Sequence, residues 1–173
     1  MTAESGRPIA IIVGTRHEFQ RHQDTMPDRE KVRAQFDRLV REIIKSRKVD
    51  AVAEEAGDDK AVWEHLKAGE TLGELGEWLF GKGSATVDSP VPTVARKIAD
   101  EYGVKHEDVD VKVRANEDDP KSIEKRDEAM TEKILKLCGN AKSVLVIVGD
   151  AHRASVAERL KKAGWSVECV QFP

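Results

Sequence analysis

The chain carries one heptad twice: "IIVGTRH" at Ile11–His17 and "VIVGDAH" at Val146–His152. Each has three β-branched residues, a glycine, two variable positions and a histidine. The apolar parts belong to longer runs, "IAIIVG" and "SVLVIVG". A run with no polar alternation predicts a strand covered on both faces, as in a parallel sheet. Each heptad therefore places a histidine three residues past a strand, beyond a glycine that permits a sharp exit and close backbone approach.

The rest of the chain fits this frame. Val32, Phe36, Leu39, Val40, Ile43 and Ile44 recur at helical spacing, predicting an amphipathic helix over 28–48. "VDAVAEE" (49–55) reads as a second strand. From Pro92 a helix marked by Val94, Ile98 and Tyr102 stops at Gly103, and "EDVDVKV" (107–113) alternates like a partly exposed third strand. Asp119–Pro120 opens a helix that carries Ile123, Met130, Ile134 and Leu137 and ends at Gly139. "SVLVIVG" is the most apolar strand and is expected at the centre; a helix over 154–163 closed by Gly164 and a last strand "SVECVQF" follow. This alternation predicts an α/β fold: a single three-layer domain over 1–173, with a mainly parallel five-stranded sheet and helices on both faces. The Trp- and Gly-rich stretch over 57–90, with a short helix expected over 60–67, reads as an irregular cap or lid. No repeat of solenoid period is present.

Composition narrows the partners. With 35% charged residues and a net charge of −3, the chain has no basic stripe of the nucleic-acid-binding kind. Its apolar runs are strand-sized, too short for a membrane span. "MTAESGRP" lacks the pattern of a secretory signal. Cys138 and Cys169 have no metal spacing and are expected to be reduced and packed in the core of a cytoplasmic protein. The expected partner is a small-molecule or peptide substrate, not nucleic acid or membrane. The oligomeric state stays open.

In open parallel sheets ligands bind beyond the carboxyl ends of the strands. If the two heptad strands are neighbours, His17 and His152 share one cleft. His152 also opens a helix, whose N-terminus favours a neutral imidazole and offers N–H groups to developing negative charge. Glu54 and Glu55 end the second strand at the same edge, and alternation turns one of them to the cleft. Arg126, three residues after Ile123 and four before Met130, falls on the inward stripe of its helix and needs a carboxylate partner. Glu54 is preferred because it follows the apolar strand directly. Asp110, Asp150 and, beside the first histidine, Arg16 and Gln20 are weaker binding candidates.

A strand ending in G-x-x-H, a glutamate after the second strand, the "RDEAMTEKIL" helix and "VLVIVGDAH…LKKAGWSVECV" together resemble the TraB/ChaN/TIKI/erythromycin-esterase superfamily, in particular its small single-domain members. The resemblance runs best from Arg126 to Val170 and covers about half the chain. It implies a cleft built from His17, Glu54 or Glu55, Arg126 and His152. The superfamily includes metal-dependent peptidases, a metal-free esterase and haem-binding proteins, so it leaves the reaction open. Hydrolysis of an ester or amide bond is the first reading, with His17 and His152 acting on a water molecule or on a divalent metal beneath a cap over 69–89. Metal-dependent and metal-free versions both stand: two histidines and a carboxylate can hold a metal, yet no compact H-E-x-x-H pair is present. A non-catalytic module that binds a small anion, nucleotide or haem is the alternative, although no G-x-G-x-x-G or P-loop follows the first strand. A protein-interaction role for the 63–80 segment is the third.

Overall fold

The computed structural model describes residues 6–16, 27–56, 93–111 and 120–172. Its strands are β1 (Ile9–Thr15), β2 (Ala51–Glu54), β3 (Lys105–Asp108), β4 (Ser143–Gly149) and β5 (Ser166–Gln171). Its helices are α1 (Pro27–Arg47), α2 (Val94–Glu101), α3 (Pro120–Cys138) and α4 (Asp150–Lys162). All five strands run parallel, in the order β3-β2-β4-β1-β5. The most apolar strand, β4, is central and buried along its whole length.

Strand alternation divides the core. Ala10 and Ile12 of β1 face one layer, with Met130 and Ile134 of α3 and Val156 and Leu160 of α4. Ile11 and Val13 face the other, with Phe36, Val40 and Ile44 of α1 and Val94, Ile98 and Ala99 of α2. Continuous apolar strands are thus covered on both sides, as a parallel sheet requires. The helix ends follow local chemistry. Thr93 caps α2 by accepting a hydrogen bond from the Arg96 amide (3.2 Å), and the chain leaves α2 and α4 through Gly103 (φ 65°) and Gly164 (φ 91°). Only glycine adopts that left-handed backbone without steric cost.

The third strand departs from expectation. It spans Lys105–Asp108 rather than 107–113. The "DVD" alternation belongs to its exit: Asp108 Oδ1 accepts from the Asp110 amide (2.9 Å), and the Val109 amide donates to the Glu54 carbonyl (2.9 Å). Local carboxylate-to-backbone bonds turn the chain before a longer ladder forms. The fourth helix begins at Asp150, directly at the strand end, and not at 154. Cys138 is buried, but Cys169 is exposed on the edge strand β5, so only one cysteine packs in the core. No helix among the described residues is long and apolar enough to cross a membrane.

The strand order marks the place where a parallel sheet is expected to carry a crevice. From β2 the chain returns to β3 by way of α2 on one face; from β4 it returns to β5 by way of α4 on the other. Neighbouring strands whose connections part in this way leave an opening at their carboxyl ends. Glu54, Glu55, Gly149 and the start of α4 stand there.

Candidate functional site

The two glutamates at the end of β2 face opposite layers. Glu54 lies in register with Ile147 of β4 and Asp108 of β3, on the same side as Val52, and is fully buried toward the α1/α2 layer. Its Oε2 accepts from Thr93 Oγ1 (2.6 Å) and meets His106 Nε2 (2.7 Å). Glu55, one residue on, turns to the α3/α4 layer. Its Oε2 accepts from the Gly149 amide (2.8 Å) and its Oε1 from Arg126 Nη2 (2.8 Å). Of the two partners expected for Arg126, Glu54 or Glu55, the structure gives Glu55 and corrects the preference for Glu54: α3 lies on the face that Glu54 turns away from.

Arg126 also donates from Nη2 to Asp110 Oδ1 (2.8 Å), so one guanidinium nitrogen joins the ends of β2 and β3. Lys133, two turns along α3, donates to the Asp110 carbonyl (2.6 Å) and holds the same turn from below. Asp110 thus belongs to the cluster. Burial pushes the neighbouring Asp108 carboxyl up, with Asp110 adding repulsion, although amides of Asp110 and Ala56 and the charge of Lys133 oppose this.

His152, in the first turn of α4, is buried and spans the cluster. Its Nε2 stands 3.8 Å from Glu55 Oε1, while its Nδ1 lies 2.5 Å from Asp127 Oδ1. Asp127 is missing from the sequence-derived set. The inward positions of α3 are Asp127, Met130, Thr131, Ile134 and Cys138, and Arg126 sits on their flank at 24% side-chain exposure. The same helical arithmetic that admits Arg126 admits Asp127, four residues after Ile123 and three before Met130. A carboxylate inside an apolar stripe was the available signal. Beside it a groove of about 580 Å³ runs between α3 and α4, with Ile123, Asp127, Ala151 and Ser155 among its walls.

Other candidates fall elsewhere. Asp150 is outside the cluster, 65% exposed at its side chain and paired with Arg153 (3.1 Å). Arg16 is exposed, its carbonyl accepting from Thr15 Oγ1 (3.2 Å). His17, Gln20 and the 57–90 segment, expected to form a cap or lid, lie outside the described residues. The heptads themselves are neighbours, with Gly14 opposite Val148 and Thr15 opposite Gly149. Neither heptad glycine has a positive φ. A Cβ on Gly14 would come within 2.6 Å of Asp150 Oδ1 and 2.8 Å of Arg153 Cδ. The glycine of the first heptad thus clears room for Asp150 of the second and for Arg153 just after it.

His17, one of the two expected metal ligands, lies outside the described residues, and the rest of the cluster alone offers no metal site. The described residues hold no group of three or more His, Cys, Asp or Glu side chains arranged for one. Both Glu55 oxygens already accept hydrogen bonds, and the guanidinium between Glu55 and Asp110 occupies the place of a cation. Compared with known proteins, the chain matches no family model, no curated protein and no solved structure.

Proposed function

We propose that the chain is a hydrolase of ester or amide bonds that works without a metal, acts on a small-molecule or peptide substrate in the cytoplasm, and is related to the TraB/ChaN/TIKI/erythromycin-esterase superfamily. The observation that carries this reading is His152 Nε2 facing the Glu55–Arg126 pair, 3.8 Å from Glu55 Oε1, at the crevice between β2 and β4. Histidine, glutamate and arginine from three separate elements converge there, in the order along the chain on which the superfamily resemblance rests.

In this reading His152 is the general base. Nε2 takes a proton from a water molecule as that water attacks the carbonyl carbon, and returns it to the leaving oxygen or nitrogen. Arg126 offers positive charge to the carbonyl oxygen as it becomes an oxyanion. Glu55 and Asp110 hold the guanidinium in place. His17 is expected to act on the same water, because its strand lies directly beside that of His152.

The test is turnover of a panel of nitrophenyl esters and fluorogenic peptide amides by the purified protein, with and without a chelator. The expected result is hydrolysis that resists chelation and is lost in His152→Ala. Loss on chelation with recovery by zinc or manganese would replace this reading with the metal-dependent one. A protein that binds such compounds but never cleaves them is the non-catalytic module.

A further inference from the structure

The hydrolytic reading asks that the Nε2 lone pair of His152 be available, and nothing in it says why. Asp127 supplies the reason. It lies on the buried stripe of α3 with its side chain only 3% exposed, and His152 is its sole side-chain partner among the described residues. Nδ1 and Oδ1 are in direct hydrogen-bond contact at 2.5 Å, and a hydrogen bond to an ionised carboxylate is stronger than one between neutral groups. An ionised carboxylate can only accept, so the ring nitrogen it meets must carry the proton. A ring with its proton on Nδ1 presents a bare Nε2, and that nitrogen is the one turned toward Glu55. We infer that Asp127 is a positioning residue that holds His152 as the Nδ1–H tautomer and aims Nε2 at the crevice.

Burial strengthens the case. A carboxylate removed from water is costly unless it is paired. With only an imidazole against it, Asp127 becomes better compensated once the ring takes a second proton. That is the state a general base passes through, and a fixed carboxylate behind the base stabilises it. The neighbouring turn keeps the geometry rigid: Thr131 Oγ1 donates to the Asp127 carbonyl (2.7 Å), so the residue is anchored at its backbone as well as its side chain. The consequence for catalysis rests on the hydrolytic reading; the tautomer does not.

Long-range proton–nitrogen NMR of ¹⁵N-labelled protein tests this without any substrate. His152 is assigned among the five histidines by comparison with His152→Gln. At a pH where the ring is neutral, wild type is expected to show Nδ1 protonated, opposite to the preference of a free histidine side chain for Nε2–H. Asp127→Ala is expected to revert to Nε2–H. In Asp127→Asn, which keeps the shape if the alanine variant does not fold, a carboxamide can donate or accept, and the two forms should mix. Nε2–H in wild type, or an unchanged tautomer in Asp127→Asn, overturns the inference. Where hydrolysis is found, Asp127→Asn should lower kcat by about 10²–10⁴-fold with KM little changed. An inert protein with Nδ1–H would sink the hydrolase and leave the tautomer standing. An active one with Nε2–H would do the reverse.

Discussion

Arg126 donates from a single nitrogen to two carboxylates, Glu55 and Asp110, that belong to different strand ends. Glu55 is almost wholly buried, so removing the guanidinium takes away a charged partner from a carboxylate that has little water to replace it. Leaving a buried charge without its partner costs several kcal/mol, reduced here because Arg126 itself is a quarter exposed. Arg126→Ala should therefore destabilise by about 2–3 kcal/mol. Asp150, whose pair with Arg153 lies largely in water, provides the contrast: Asp150→Asn should cost about 0.5 kcal/mol or less. Urea unfolding of the three proteins measures both. Equal midpoints for the two variants would mean that the bridge contributes no more than a surface pair. The neighbouring pair Glu54 and Glu55 shows what one residue of displacement does. Identical side chains enter opposite layers, one to meet Thr93 and His106, the other to meet Arg126.

At the scale of elements, β3 and its exit turn have the most unusual electrostatics. Four residues, "KHED", form the strand, and Asp108 and Asp110 fold the chain off the sheet. Burial holds the Asp108 carboxyl above its ordinary value. A carboxyl raised on folding contributes stability below its unfolded value and loses it as pH rises through the folded one, so at neutral pH the ionised group is a net cost. Asp108→Asn keeps an oxygen for the amides of Ala56 and Asp110 and removes the charge. It should raise the melting temperature at pH 7, with the gain shrinking as pH falls and wild-type Asp108 protonates. Thermal melts across pH 3–7 check this. A gain that grows toward acid would mean that the carboxylate is held by its amides more strongly than burial disfavours it.

For the whole molecule, the sheet order decides what is sealed and what is open. β2, β4 and β1 lie inside, and β3 and β5 form the edges. Cys138, at the end of α3, is buried, and loss of hydration pushes its thiol up to about 11, with Glu107 adding to the effect. Cys169 stands exposed on β5. A chromogenic disulfide at pH 8 should titrate one thiol in the native protein and both after denaturation. Two fast native thiols would show that α3 does not seal its own end against the sheet.

Local pattern determines much of this protein. Apolar runs too uniform for a half-exposed strand require cover on both sides, so "IAIIVG" and "SVLVIVG" specify a parallel sheet between helical layers, and Gly103 and Gly164 mark where two of the helices end. The placing of Glu at a strand end, Arg near an inward helix stripe and His at a helix start was legible for the same reason. What periodicity leaves undetermined is which layer each neighbour occupies. Alternation says that Glu54 and Glu55 face apart, not which of them faces α3. Helical spacing admits both Arg126 and Asp127 to an inward stripe, and only contact with α4 puts the carboxylate against His152 and the guanidinium on the flank. The order β3-β2-β4-β1-β5 has the same status. Short-range sterics and hydrophobic period set each element and its two faces, whereas the assignment of faces to layers depends on long-range burial that exists only once the sheet has assembled.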